Sequence, residues 1–505
     1  MKEIKSKFDA RLLLVTTLLI SICSIIYELI ISSISSYLKG DSITQFSITI
    51  GLYMSAMGLG SYVSKYIKEN LFNKFIFIEL GIGILGGFSS FILFVANIYT
   101  DIYLLIMYIL IICIGILVGV EIPILTRIIE ENNSNIRNNL ANIFTFDYIG
   151  ALIGSIAFPL LLFPKLGFIT TAFLIGLINA IVTLLIVFKY RNYIKNYKTV
   201  KLICMIFFII LIIFLFSSSI ITKKIENGLY RDDIIYSKQT AYQKIVITKH
   251  KDDLRLFLDG NIQFSSQDEY RYHEALVHVP FAYANKHNKV LILGGGDGMA
   301  AREVLKYTDV EEIRLIDIDK EMTDLCKTNE QITKLNQNSL TNHKVKVINE
   351  DAYIYLKENT EKFDVIIIDL PDPNNESLNK LYTNVFYNYV KASLNENGAM
   401  VVQSTSPYYA KNSFWCINKT VKTQFNNVMP YHVQVPAFGE WGFNMACNNQ
   451  EAKSITVETK YINNDNIKSM FIFANDEKVD LNEIEINDMF KPKLIQYYNK
   501  DVENW

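Results

Sequence analysis

The stretch Lys289–Glu303, KVLILGGGDGMAARE, decides how this chain is read. Val290, Leu291, Ile292 and Leu293 form a short apolar run, the kind a parallel strand needs when both its faces are covered. Gly294, Gly295, Gly296 and Gly298 follow at once. Glycines there let the backbone turn tightly and approach a ligand closely. Met299 to Lys306 are good helix formers, so a helix N-terminus is expected to point at whatever the glycines cradle.

Strand and helix patterns go on alternating downstream. The apolar runs VLILG, EIRLIDID, KVKVINED, FDVIIIDL and GAMVVQS are separated by helical stretches. That alternation predicts a doubly wound, Rossmann-like α/β domain with a mostly parallel sheet. Ligands of such sheets bind beyond the carboxyl ends of the strands. There the sequence delivers one carboxylate after another. Asp297 lies in the glycine turn. Asp317 and Asp319 end the second run about twenty residues on, where an acid can bind ribose hydroxyls. Glu350, Asp351 and Ala352 end the third, suited to an adenine edge. Asp369 and Asp372 end the fourth.

A site for a phosphorylated nucleotide wants basic groups. This turn has no G-K-[ST] and carries an aspartate instead. Clustered carboxylates repel anions and attract cations. The expected ligand has an adenosine-like part, no phosphate and positive charge. A sulfonium nucleoside fits, and so does a polyamine co-substrate.

The first ~220 residues differ in kind, being mostly Ile, Leu, Phe, Gly and Ser in runs long enough to span a bilayer. About seven such segments are expected, near 12–36, 43–65, 74–98, 102–126, 141–163, 167–189 and 202–222. Basic links alternate with neutral ones: Lys2, Lys5, Lys7 and Arg11 before the first, Lys65, Lys68 and Lys74 after the second, Arg127 and Arg137 after the fourth, and Lys189 to Lys201 after the sixth. The positive-inside rule puts these in the cytoplasm. An odd number of spans then leaves the C-terminal half outside, so either one segment does not cross fully or that half is external. Glu28, Glu79, Glu121 and Asp147 fall inside the segments. Such acids either bond neighbouring helices or line a path for a cation.

Lys223 to Arg231 reads as a polar link. Ile234 to Phe264 then reads as a small antiparallel sheet with a hairpin turn at Asp259-Gly260. SSQDEYRYHEALVHVPFAYA reads as a helix capped by Ser266 or Asp268, with Tyr272, Leu276 and Val279 on one face. The expected division is a membrane domain over 1–222, a small β domain with its helix over 230–285, and a Rossmann-like catalytic domain over 286–505. The net charge of -2 gives no reason to expect a nucleic-acid partner, and the six cysteines have no C-x-x-C spacing, so they are read as reduced thiols. No metal site is expected.

Taken together, AYQKIVI, LFLDGNIQFSSQDEYRYHEALVHVP, VLILGGGDGMAAREVLK, IDID, NEDAY, and DLPDP followed by NKLYTNVFY resemble the polyamine aminopropyltransferases, whose familiar member is spermidine synthase. The likeness runs from Tyr236 onward, and the N-terminal half looks like the multi-span domain fused to such enzymes in some prokaryotes. The resemblance implies transfer of an aminopropyl group from decarboxylated S-adenosylmethionine, a co-substrate rather than a cofactor, to putrescine or a related amine. It implies that Gln243, Gly294, Gly296, Asp317, Asp351 and Ala352 bind the donor or its product methylthioadenosine. It implies that Tyr272, His273, Asp297 and Asp372 hold the amine and that Asp369 accepts its proton. The family's tyrosine-rich acceptor strand is replaced here by VPAFGEWGFNMAC, so Phe438, Glu440 and Trp441 are expected to line the acceptor end, with Trp441 either stacking on the amine or serving as core. A cell-membrane location, a cytoplasmic catalytic domain and a homodimer or homotetramer are further expectations. A methyltransferase using intact S-adenosylmethionine and a membrane polyamine sensor or transporter are the competing readings.

Overall fold

The computed structural model describes residues 10–40, 42–132, 136–230, 232–449 and 451–502. Lys2, Lys5 and Lys7 lie outside these, as do the side chains of Arg11 and Arg137. The chain divides between residues 231 and 232 into two compact units.

The first unit is helical. Its helices are α1 Ala10–Lys39, α2 Ser42–Val63, α3 Leu71–Gly87, α4 Ser89–Tyr99 and α5 Tyr103–Asn132. They continue as α6 Ile136–Ala157, α7 Phe163–Lys189, α8 Tyr197–Phe216 and α9 Ser218–Tyr230. α9 occupies most of the stretch expected as a polar link. α1 packs against α2, α6 and α7. The interior is one apolar cluster including Ile26, Ile30, Phe75, Ile111 and Phe173. Large apolar residues such as Met54, Leu105, Leu160 and Ile206 face outward. Helices that are apolar all round are suited to burial in protein or lipid.

Among the described residues, five helices are long and apolar enough to cross a bilayer, or six if α3 and α4, bent by 44° relative to each other, form one span. Seven segments were expected. The difference lies in the fifth and sixth, which run on as one stretch of 50 residues, Leu140–Lys189. A straight helix of that length would measure ~75 Å, more than twice the ~30 Å hydrocarbon core. The stretch is not regular: a π-helical turn spans Phe158–Leu162, and Gly167 is non-helical at φ 70°, ψ -179°.

In the second unit, β1 Asp233–Gln239, β2 Lys244–His250, β3 Asp253–Leu258 and β4 Asn261–Ser265 form an antiparallel sheet in that order. Asp259 and Gly260 turn between β3 and β4 with φ of 49° and 85°, as a type I′ hairpin requires. α10 Glu269–Tyr283 follows. Neither expected cap forms. Asp268 stands at the N-cap, but its Oδ2 accepts from the Ala437 N–H at 2.6 Å. Ser266 Oγ accepts from the Leu254 N–H at 2.9 Å, tying down the small sheet.

The remaining strands are β5 Lys289–Gly294, β6 Glu312–Ile316, β7 Val345–Ile348, β8 Phe363–Asp369, β9 Leu394–Gln403, β10 Val428–Val435 and β11 Gly439–Cys447. They form a seven-stranded sheet in the order β10-β11-β9-β8-β5-β6-β7. β5 to β9 are parallel, in agreement with the five apolar runs, and β10–β11 adds an antiparallel hairpin beside β9. The helices are α11 Met299–Val304, α12 Lys320–Thr328, α13 Glu330–Leu335, α14 Ala352–Glu358, α15 Glu376–Asn379, α16 Asn384–Ser393, α17 Lys411–Lys422 and α18 Lys493–Val502. Val290, Ile292, Val365 and Ile367 enter the core on one face, and Leu291, Leu293, Ile366 and Ile368 enter the core on the other. Strand order reverses at β5, with β6 and β7 to one side and β8 and β9 to the other. A crevice opens at such a switch point, beyond the strand ends.

Candidate active site

Gly294 pairs in register with Asp369 across that switch point, and the Gly295 N–H donates to the Asp369 carbonyl at 3.1 Å. A Cβ on Gly294 would lie 2.0 Å from that carbonyl oxygen, and its φ is 83°. Only glycine fits both conditions. A Cβ on Gly296 would lie 2.4 Å from Asp317 Oδ2, so this glycine makes room for the carboxylate. The helix after the turn is short, with 6 residues, and the Met299 N–H is taken by Asp297 Oδ1 at 2.8 Å. The turn therefore presents a carboxylate where the sequence suggested a helix end facing a ligand.

On the β6–β7 side, Asp317 Oδ1 accepts from the Asp319 N–H at 2.8 Å. Burial, together with the charges of Asp319 and Asp297, pushes Asp317 up to about 7 against two backbone hydrogen bonds. Gln243 reaches the other acid: its Nε2 donates to Asp319 Oδ2 at 3.0 Å, beside Thr240 Oγ1 at 2.8 Å. Asp319 Oδ1 caps α12 through the Glu321 N–H. Asp351 caps α14 through the Tyr353 N–H at 2.8 Å, and its Oδ2 accepts from Lys380 Nζ at 2.5 Å. Both of its oxygens are engaged within the protein. Ala352 is the buried first residue of α14.

On the β8–β9 side, the Tyr272 hydroxyl donates to Asp369 Oδ1 at 2.6 Å. Asp369 Oδ2 faces the glycine turn, 3.3 Å from where a Gly295 Cβ would stand. Burial, aided by the Asp297 charge, raises Asp369 to about 6 even though His273 and Tyr272 favour its ionised form. Burial likewise raises Asp372 to about 6. Asp372 accepts from Gln403 Nε2 at 3.3 Å and from the Tyr498 hydroxyl of α18 at 3.1 Å.

Gln403 stands opposite Phe443 in the β9–β11 pair, so Trp441, two residues along, shares its face. The Trp441 Nε1–H donates to Gln403 Oε1 at 3.2 Å. Phe438 lies edge-on to Trp441 at 4.9 Å and to Tyr272 at 6.0 Å. Glu440 does not join them. Side chains alternate across a strand, and Glu440 turns to the opposite face, where it pairs with His432 near Glu477. The expectation that it lines the acceptor end is corrected accordingly.

His273 closes a buried chain of alternating charge. Arg302 holds Glu269 with two N–H groups at 2.8 and 2.9 Å, Glu269 Oε2 meets His273 Nδ1 at 2.8 Å, and His273 Nε2 stands 3.9 Å from Asp297 Oδ2. Burial opposes a charged imidazole, but Glu269 and Asp297 outweigh it and raise His273 to about 9. Despite its own burial, Glu269 is held down to about 2 by His273 and Arg302. Glu269, Arg302, Lys380, Gln403 and Tyr498 were not singled out from the sequence. The i,i+4 spacing of Glu269 and His273 on one helix was a usable signal, as was Gln403 at the end of a fifth apolar run.

The spermine/spermidine synthase domain matches residues 269–482. The polyamine aminopropyltransferase of Leptospira interrogans is 42% identical over 97% of this chain and 98% of its own. This chain belongs to the polyamine aminopropyltransferases. The aminopropyltransferase of Oceanobacillus iheyensis is 40% identical over 96% of both chains, so both relatives match across the helical unit as well. A solved spermidine synthase, from Thermotoga maritima, is 27% identical over 48% of this chain and 85% of its own, with a TM-score of 0.45. In this aminopropyltransferase, the crevice between β5 and β8 brings together Tyr272, Asp369, Asp297 and Asp372, with Trp441 reached through Gln403.

Proposed function

We propose that the crevice binds decarboxylated S-adenosylmethionine on its β6–β7 side and putrescine or a related diamine on its β8–β9 side, with Asp369 accepting the amine's proton. The observation that carries this reading is the setting of Asp369. One carboxylate oxygen is fixed by Tyr272, and the other is left over the glycine turn.

A primary ammonium, with a pKa near that of lysine at about 10, is not a nucleophile. Its nitrogen attacks the aminopropyl carbon bonded to the sulfonium. A C–N bond forms as the C–S bond breaks, the electron pair stays on sulfur, and methylthioadenosine leaves as a neutral thioether. The proton released from nitrogen passes to Asp369. Asp297 and Asp372 hold the diamine's other ammonium, which is mainly a proximity effect. His273 orients Asp297, Gln403 and Tyr498 orient Asp372, and Trp441 presents its ring to the cationic chain. Asp317 and Gly296 take the ribose side of the donor, with Gln243 and Ala352 bordering it and Asp351 shaping the start of α14. An intact S-adenosylmethionine would bring its carboxylate to this acidic wall, which disfavours the methyltransferase reading.

Asp369→Asn tests the assignment. Turnover is expected to fall by at least about 100-fold, while methylthioadenosine binding, followed by calorimetry, stays within a few-fold. Near-normal turnover would remove Asp369 from the role.

The helical unit, apolar outside as well as inside, is proposed to lie in the cell membrane, with the catalytic unit on the cytoplasmic side where its nucleoside substrate is made. Pairing of chains through the small antiparallel sheet into dimers or tetramers is part of the same proposal.

A further inference from the structure

The two helices flanking the glycine turn bury more charge than the crevice itself uses. Arg302 and Glu303 on α11 and Glu269, His273 and His278 on α10 are all buried. Their contacts join into one line. Lys306 Nζ meets Glu303 Oε2 at 2.7 Å, and Glu303 Oε1 accepts from Arg302 Nε at 2.8 Å. Arg302 holds Glu269, Glu269 holds His273, and His273 faces Asp297. The groups thus alternate in sign, from half-buried Lys306 to Asp297 in the glycine turn.

A second anchor on Glu303 comes from α10. His278 Nε2 stands 2.9 Å from Glu303 Oε2, and His278 Nδ1 stands 3.0 Å from the Tyr307 hydroxyl. An ionised carboxylate only accepts, so Nε2 carries the proton and Tyr307 donates to Nδ1. Burial opposes a charge on Glu303, but His278, Arg302 and Lys306 hold it down to about 2.

Stability gives no reason for this arrangement. Desolvating buried ions largely offsets the gain of pairing them, and apolar side chains of similar size pack as well. Position does give a reason. The guanidinium is a rigid planar fork of N–H donors. Its Nε is taken by Glu303, and Nη1 and Nη2 by Glu269 and the Leu335 carbonyl. Glu303 therefore fixes the plane in which Arg302 meets both oxygens of Glu269. One of those oxygens also holds His273 Nδ1, which leaves Nε2 towards Asp297.

We propose that Glu303, backed by His278 and Lys306, is a positioning residue for aminopropyl transfer. It sets Arg302 and, through Glu269 and His273, the Asp297 carboxylate that receives the amine. This rests on the acceptor role given to Asp297.

His273 is the group to read, since it stands between this line and the crevice. It is faced by Glu269 and the Tyr272 ring on its own helix, by Asp297 in the turn and by Asp369 at the end of β8. Removing the Glu303 charge acts on His273 twice with one sign. The uncompensated guanidinium repels the imidazolium and draws Glu269 away from it. Removing the Lys306 charge acts with the opposite sign.

The test uses the full chain in lipid nanodiscs with isotope-labelled histidine, followed by NMR. Six histidines give few signals, and His273→Gln assigns the one of interest. Glu303→Gln keeps the shape of the side chain and removes its charge. It is expected to lower the His273 titration by about half a pH unit. It should also raise KM for the amine by about threefold or more, with KM for the donor unchanged. Lys306→Met is expected to move the His273 signal upward, and it decides alone if Glu303→Gln does not fold. A merely structural role for Glu303 would lower the melting temperature and leave the titration in place. An unmoved His273 signal, or a shift of one sign in both variants, would overturn the proposal. Asp297→Asn separates this from the reading of the crevice. If it leaves KM for the amine unchanged, both fail. If it raises that KM while Glu303→Gln moves neither readout, only the positioning role fails.

Discussion

At the scale of residues, the site works by setting carboxylates of raised affinity for protons beside a buried cation. The role proposed for Asp369 requires an ionised carboxylate, and burial lifts it to about 6. His273, lifted to about 9, stays an imidazolium through neutral pH. kcat/KM is therefore predicted to fall below about pH 6 and again above about pH 9. Removing the Glu269 charge takes away a group that raises His273, so Glu269→Gln should move the alkaline limb down by about one unit; an unmoved limb would detach it from His273. The signs for stability differ. The His273 contribution is complete below its ordinary value of about 6.5 and is lost as pH rises towards 9. Burial of the Asp369 charge works the other way, so stability declines as pH rises from about 4 to 6. Asp369→Asn should consequently raise the melting temperature at neutral pH, by about 2–4 °C, while it abolishes turnover. The strand-end acids Asp297, Asp317, Asp369 and Asp372 were legible in the sequence because strand ends are where an α/β sheet places its ligands. Glu269 was marked only by its i,i+4 spacing to His273, and Arg302 by nothing, because it acts on Asp297 through Glu269 and His273 and touches no strand end.

At the scale of elements, the glycine turn is fixed by the end of β8. Gly294→Ala would place a methyl against the Asp369 carbonyl in a left-handed conformation. It is predicted to cost about 2 kcal/mol or more in stability and to displace Asp369, both readable from thermal unfolding and loss of turnover. The five parallel strands announced themselves as uninterrupted apolar runs. The β10–β11 hairpin did not, because its residues alternate between two differently used faces: Trp441 and Phe443 towards the crevice, Glu440 and Asn444 away from it. α18 was silent for another reason, since Tyr498 meets Asp372 across 126 residues of chain and nothing local marks that contact. Tyr498→Phe removes one hydrogen bond to a charged group, worth about 1.5–3 kcal/mol. It is predicted to raise KM for the amine roughly tenfold and leave KM for the donor unchanged; an equal rise in both would place Tyr498 outside the acceptor site.

At the scale of the whole molecule, an apolar helical unit and a carboxylate-rich α/β unit share one chain, and the relatives match along both. Composition alone revealed the division. The number of spans was harder to read, because the break the sequence marks at Pro164–Gly167 interrupts a stretch that runs on for 50 residues. Protease treatment of sealed vesicles is predicted to spare the catalytic unit in right-side-out preparations and to digest it in inverted ones; the reverse pattern would put the unit outside. The most direct measurement of the central claim is product analysis by mass spectrometry. Supplied with decarboxylated S-adenosylmethionine and putrescine, the purified full chain is predicted to release spermidine and methylthioadenosine in equal amounts. Methylated amine and S-adenosylhomocysteine from the intact donor, with no spermidine, would contradict it.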